Sequence, residues 1–185
     1  MELLKAIRER RSVRKYRTDP VPDEIIIEIL DAARNAPSWA NTQVPRFIVV
    51  KNRCVMEALG ETLPPTNPAK KAVTNAPCVI CIIAKKGLSG YHKGVPATYK
   101  GDWLMFDAGI AMEHIVLAAW GFGLGTVHVG MFDAKAAKKI LKVPEEFAVV
   151  ELTPVGYFDE IPRTTPKRPL KESVSLDTYG FPYIG

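Results

Sequence analysis

Trp103-Leu104-Met105-Phe106-Asp107-Ala108-Gly109-Ile110-Ala111-Met112-Glu113-His114-Ile115-Val116-Leu117-Ala118-Ala119-Trp120 is the stretch on which the fold turns. Its apolar residues run nearly all round a helical wheel, and a helix without a wide polar face has to be covered on most sides. The reading is a central helix, buried in the core or in an interface between two copies. Gly121-Phe122-Gly123-Leu124-Gly125 follows at once. These glycines come after a helix and lead into a strand, the reverse of the order in a dinucleotide-binding fingerprint. They read instead as a helix C-terminus, supplying left-handed conformations and close packing.

Working outward, Leu3, Leu4 and Ile7 mark one face of a first helix running to about Arg10. Pro22 opens a second, with Ile25, Ile26, Ile29, Leu30 and Ala33 as its stripe and Pro37 as its end. Arg46 to Lys51 reads as a strand buried on both faces, Val55 to Thr62 as a short helix and Cys78 to Ala84 as a buried strand. Gly87, Gly90, Gly94 and Gly101 punctuate a loop without periodicity, read as a lid or surface excursion. Thr126 to Val129 is a strand, Asp133 caps a helix through Leu141, and Ala148 to Tyr157 is the last core strand. Strands separated by helices indicate an α/β or α+β sandwich, read as one domain over residues 1–185. Its proline-rich residues 161–185 form an extended arm suited to lying over a neighbouring copy.

The 185 residues, 47% hydrophobic, suffice for one core and fall short of two ordinary domains. No apolar run is read as long enough to span a membrane, and Met1 to Arg11 lacks the apolar core of an export signal, so a cytoplasmic location is expected. Three cysteines, an odd number, fit a reducing compartment. Cys78 and Cys81 have metal-like spacing, but on a strand positions three apart face opposite ways, so they read as core residues. A formal charge of +5 admits an acidic partner. The 25 basic residues are nevertheless dispersed, with no zinc-finger or RNP-type pattern among them.

Two segments carry polar chemistry. Arg10-Arg11-Ser12-Val13-Arg14 can grip a phosphate through forked, charge-assisted hydrogen bonds, or it can be the solvated end of a helix. Ala36-Pro37-Ser38-Trp39-Ala40-Asn41-Thr42-Gln43 offers donors and acceptors to a flat, polar-edged heterocycle, or it is a plain turn. Of three histidines, His92 falls in the glycine-punctuated loop and His114 reads as a core or interface residue. His128 lies where a strand end meets a cofactor edge. No Ser/His/Asp order or carboxylate pair stands out and Cys54 lacks a base nearby, so a cofactor has to carry any chemistry.

Taken in order, Arg10 to Arg14, Pro37-Ser38 with Asn41 and Gln43, Asp107-Ala108-Gly109, Leu117-Ala118-Ala119 with Gly123-Leu124-Gly125-Thr126, Val155-Gly156-Tyr157 and Lys167-Arg168-Pro169 resemble the nitroreductase family of FMN-dependent oxidoreductases, almost end to end. The resemblance implies an α+β three-layer sandwich with a central, mostly antiparallel sheet flanked by helices. It also implies a homodimer with two FMN sites at the subunit interface, and NADH or NADPH as reductant for a nitroaromatic, quinone or flavin acceptor. Carried over by position, Arg10, Arg11, Ser12 and Arg168 hold the FMN phosphate with Lys167 close by. Arg14 faces the N1 and C2 carbonyl edge of the flavin. Pro37, Ser38, Asn41 and Gln43 border the ribityl chain and ring, and Val127, His128, Val129 and Gly130 present backbone groups to the reacting end. Where many relatives have Gln-Pro-Trp this chain has Gln43-Val44-Pro45-Arg46, and Trp39 replaces a smaller residue, either stacking near the ring or narrowing the pocket.

Two other readings stand beside this one. A flavoenzyme of the same fold can catalyse flavin fragmentation, dehalogenation or dehydrogenation. A basic nucleic-acid-binding module would use Arg10 to Arg14 on backbone phosphates and carry no chromophore. The resemblance favours neither nucleic acid nor a membrane as partner, and no metal site is expected.

Overall fold

In the computed structural model, which describes residues 2–184, the chain runs in order through α1 (Leu3–Glu9), α2 (Asp23–Arg34), β1 (Pro45–Val50), α3 (Arg53–Glu61), α4 (Lys70–Asn75), β2 (Cys78–Lys85), a hairpin of β3 (Tyr91–His92) and β4 (Val95–Pro96), α5 (Leu104–Gly121), β5 (Gly125–Thr126), α6 (Ala134–Ile140) and β6 (Phe147–Gly156). The main sheet has the order β1-β2-β6-β5, antiparallel throughout. Strand β2 is buried along all but its last residue, and its alternation sorts the core into two layers. Cys78, Ile80, Ile82 and Ala84 meet α2 and α5 on one face, through Ile29, Ala108, Met112 and Ile115. Val79, Cys81 and Ile83 meet α3, α4 and α6 on the other, through Leu59, Val73 and Ala137. The two cysteines therefore lie on opposite faces, as their spacing requires, and the fold is the expected α+β three-layer sandwich.

The caps explain where helices begin. Asp133 accepts from the amides of Lys135 and Ala136 at the start of α6, and Asn52 accepts from Val55 at the start of α3. Past α5, Gly123 takes φ +76° while Leu124 donates back to Ala119, so the helix closes and the chain turns into β5.

Several elements differ from the sequence reading. Strand β1 is an edge strand and only Val50 is fully buried, because β2 covers just one of its sides. The short α4 carries no helical periodicity strong enough to announce it. Residues 85–102 contain the β3–β4 hairpin rather than irregular loop alone. The strand expected over Thr126 to Val129 shrinks to β5 plus one bridge between Val129 and Leu152. Helix α5 is not covered all round: Met105 and Phe106 are 62% and 58% exposed, leaving an apolar face without a partner in the protomer. Its 18 residues, mean hydropathy 1.3, are also long and apolar enough by composition to cross a membrane, contrary to expectation, although half of that span is buried against the sheet and α2.

Two contacts place the functional segments. Ser12 forms a parallel bridge with Thr126, and the Val13 amide donates to the Thr126 carbonyl at 2.8 Å, so the segment after α1 is stitched onto the free edge of β5. Trp120 stacks on Phe158 at 5.5 Å, fixing the point where the chain leaves β6. Beyond it, residues 159–184 contain one helical turn, Leu170–Glu172, and leave Leu170, Tyr179 and Phe181 exposed, an arm whose apolar side chains find no cover within the protomer.

Gly125 lies directly beneath Val13: a Cβ there would come within 2.6 Å of the valine side chain. Gly125→Ala should lower stability by about 1–3 kcal/mol through overpacking. Denaturant unfolding checks this, and an unchanged midpoint would show that the Val13 contact has room to relax.

Candidate functional site

Arg10 closes α1, and the chain then runs extended, burying Val13 while Ser12 and Arg14 face outward. The Tyr16 hydroxyl, 2.7 Å from the Val13 carbonyl and 3.2 Å from that of Pro154, fastens this segment from below. Burial pushes its phenol far upward, so it stays a neutral donor. Arg11 is tied into the scaffold: Nη1 donates to the carbonyls of Arg8 and Arg10 at 2.7 and 2.8 Å, and Nη2 to the Thr164 hydroxyl at 2.9 Å. Its Nε is buried with no partner among the described residues. Arg10 and Arg14 keep their forks open, Arg10 through an Nε contact with Glu113 at 3.5 Å and Arg14 with a single bond to the Ser12 carbonyl at 3.3 Å.

Two cavities meet at Arg14. One, about 800 Å³, lies between Ser12–Tyr16 and Asp159–Arg163 where the arm begins. The other, about 310 Å³, is enclosed by Arg14, the turn at Thr66–Ala69 and the segment Val127–Met131. In that segment Val129 exchanges both backbone bonds with Leu152. An extended chain alternates its amides, so those of His128 and Gly130 point to the open side, and neither has a partner among the described residues. The result is a concave site with a cation at one end and free N–H donors along one wall.

His128 turns its ring toward two carboxylates, Nδ1 lying 2.5 Å from Glu151 and Nε2 lying 3.3 Å from Glu113. The hydrogen bond with Glu113, then that with Glu151, raises its pKa to about 9, outweighing burial. Glu113 is held low for the reciprocal reason, its bond to His128 first and the Arg10 charge after it.

The Pro37–Gln43 loop is built differently. Ala40, Asn41 and Gln43 adopt φ of 43°, 56° and 49°, left-handed conformations that cost energy for residues other than glycine. Side chains hold them at two points, where the Gln43 amide donates to the Ser38 hydroxyl at 2.8 Å and the Trp39 amide to Asp107 Oδ1 at 3.0 Å, and the Asn41 and Thr42 amides donate to the carbonyls of Ser38 and Trp39. Asp107 is 1% exposed in the first turn of α5, and its other oxygen has no partner among the described residues. Trp39 packs on Trp103 at 5.1 Å, and Trp103 on Phe106 at 5.2 Å.

Of the residues singled out in the sequence, Ser12, Arg14, Val127, His128, Val129 and Gly130 line the two cavities that share Arg14, and Arg10 precedes Ser12 by two residues at the end of α1. Ser38 and Gln43 do not join them: they line a separate pocket of about 80 Å³ with the end of α2 and the start of β1, and it shares no residue with the other two. Lys167 and Arg168 are exposed on the arm, which among the described residues is hydrogen-bonded to the arginine segment through Thr164. Glu113 and Glu151 were missed, and Asp107, quoted within Asp107-Ala108-Gly109, was given no role. A signal for Glu113 and Asp107 existed, since they are the two acids in a mostly apolar helix; Glu151 follows simply from the alternation of β6.

Residues 7–157 match the sequence model of the nitroreductase family. The chain belongs to that family. It is 34% identical over 168 residues to a protein of Methanothermobacter thermautotrophicus provisionally named NADH dehydrogenase/NAD(P)H nitroreductase, an alignment covering 89% of this chain and 81% of the relative. The crystal structure of a nitroreductase family protein from Clostridium novyi NT is 32% identical, with a TM-score of 0.76 over 99% of this chain and 97% of that one. The structure of an FMN-dependent nitroreductase from Clostridium difficile R20291 is 27% identical, with a TM-score of 0.78 over 95% and 99% of the two chains. This chain thus shares the nitroreductase sandwich with these structures along nearly its whole length.

The raised pKa of His128 has a consequence for stability. A histidine whose folded pKa exceeds its unfolded one stabilises fully below the unfolded value of 6.5, and that contribution disappears as pH rises through about 9. Because the side chain is 37% exposed, the stabilisation is discounted for solvent screening to about 1 kcal/mol. Thermal unfolding followed from neutral to alkaline pH should show this decline in the wild type and not in His128→Gln. Parallel curves for the two proteins would mean that the imidazole is not held by its carboxylates.

Proposed function

We propose that this chain is an FMN-dependent oxidoreductase, reducing a small nitroaromatic, quinone or similar acceptor at the expense of NADH or NADPH, as a homodimer. The observation that carries this reading is the convergence of Ser12 and Arg14 with the free amides of His128 and Gly130 on two cavities that share Arg14, with Arg10 two residues before Ser12, in a chain of the nitroreductase family.

The residues fit the cofactor. Open guanidinium forks beside the Ser12 hydroxyl match a phosphate in charge and geometry, and Arg168, with Lys167 next to it, supplies further positive charge when the arm is in place. Amides of the Val127–Gly130 segment suit the carbonyl and ring-nitrogen edge of an isoalloxazine, and Arg14 is the cation for its pyrimidine edge. Bound there, FMN supplies the hydride chemistry of the reaction. The chain binds and orients: Arg14 stabilises negative charge that accumulates on reduction, the buried wall of Val127 and Val129 excludes water, and no side chain acts as a covalent nucleophile. Reductant and acceptor that occupy the same face of the cofactor in turn lead to ping-pong kinetics.

Two features support the dimer. Leu3, Leu4 and Ile7 on α1, Met105 and Phe106 on α5 and the apolar side chains of the arm are exposed in the protomer, and exposed apolar side chains in such number suit an interface. Pro37, Ser38, Asn41 and Gln43, remote from Arg14 within the protomer, then border the cofactor held by the second copy. The nucleic-acid reading has less support, because many basic side chains already pair with acids, among them Arg17 with Asp19, Arg34 with Asp31 and Lys138 with Glu145.

Protein purified with FMN should be yellow. Arg10→Ala and Arg168→Ala should each weaken FMN binding by about 1.5–3 kcal/mol, as expected for a charge-assisted bond. Arg14→Ala should lower the flavin midpoint potential. Fluorescence titration and spectroelectrochemistry measure the two effects; undiminished retention in both phosphate variants, or an unmoved potential in the third, would refute the assignment concerned.

A further inference from the structure

Arg10, Glu113, His128 and Glu151 form one chain of alternating charge that runs from the end of α1, across α5, to the segment after β5 and on to β6. Arg10 Nε is 3.5 Å from Glu113 Oε1, the other Glu113 oxygen is 3.3 Å from His128 Nε2, and His128 Nδ1 is 2.5 Å from Glu151 Oε1. Glu151 also accepts from the Thr153 hydroxyl at 3.1 Å, which fixes its position. Both imidazole nitrogens thus face carboxylates, an arrangement satisfied only when both carry protons. His114, the other titratable group near Glu113, bonds through Nδ1 to the Ala32 carbonyl on α2 at 3.0 Å, and Arg14 lines the same cavity as His128.

We propose that Glu113 and His128 are positioning residues for Arg10, holding its guanidinium by Nε so that its two amino groups face the cofactor phosphate, with the imidazole proton setting how strongly Glu113 competes for the same charge. The proposal rests on the FMN reading and adds to it a proton-linked control of phosphate binding. With the imidazole protonated, the four side chains carry two positive and two negative charges. Loss of that proton leaves one net negative charge beside the phosphate and turns Glu113 wholly toward Arg10, and both changes weaken the hold on a dianion. The carboxylates keep His128 charged until about pH 9, so the loss falls on the alkaline side.

Riboflavin, which shares the ring and lacks the phosphate, isolates the effect. Titrating the full-length protein with each flavin at about pH 7 and about pH 9.5, we expect the ratio of FMN to riboflavin affinity to fall about fivefold in the wild type, the order of one unscreened charge at this range. His128→Gln should show the low ratio at both values, and His128→Arg, with its permanent charge, the high ratio at both. A flat wild-type ratio, or a His128→Gln profile superimposing on the wild type, overturns the inference while leaving FMN binding intact. If the wild type binds neither flavin, the cofactor assignment fails and takes this inference with it.

Discussion

The pairing of Ser12 and Val13 with Thr126 is the contact on which the rest of the site depends. Without it, the five residues after α1 would be an untethered helix end, and the three arginines among them would be ordinary surface charges. With the Val13 amide bound at 2.8 Å to Thr126, and Gly125 bare beneath the valine, that segment becomes an extra parallel partner at the edge of the sheet. Three residues further along, Val129 bridges to Leu152. One short edge therefore orders a cationic segment and a row of free amides side by side, which is the geometry that an anionic, flat cofactor needs.

Helix α5 is the second determinant, and it works through its few polar residues. Its apolar bulk fills the space under the sheet, and a helix with that task alone has no use for acids. Asp107 and Glu113, six residues apart, serve different ends: Asp107 is buried and pins the strained Pro37–Gln43 loop through the Trp39 amide, while Glu113 reaches Arg10 and His128. The energy stored in three left-handed residues of that loop is a cost the surrounding structure must hold in check, and such strain persists where it pre-shapes a binding surface. The uncovered face of the same helix, with α1 and the arm, is the surface that the proposed homodimer would cover.

Much of this was legible in the residues. The continuous apolar run from Cys78 to Ala84 and the apolar stretch from Trp103 to Trp120 marked the strand and helix at the centre, because burial on both faces of a strand, or on most of a helix, leaves an unbroken apolar pattern. The glycines after Trp120 were correctly separated from a nucleotide fingerprint by their order relative to helix and strand. Less could be read where neighbours far away in sequence decide the outcome. Whether Arg46 to Lys51 was central or at an edge depended on which strand lay beside it, and the short α4 owes its existence to packing on α3 rather than to its own propensity. Likewise the pairing of His128 with Glu113 and Glu151 crosses three elements, and no local motif encodes it. Residues 12 and 126 meeting at a sheet edge could not be foreseen from spacing alone.

The account is tested most directly by determining the structure of the protein crystallised with FMN. It predicts two copies, each with the phosphate between Arg10 and the Lys167–Arg168 pair, the ring against Val127 to Gly130 with Arg14 at its pyrimidine edge, and Ser38, Asn41 and Gln43 arriving from the other copy. A flavin bound elsewhere, or these cavities free of flavin in crystals soaked to saturation, would contradict it.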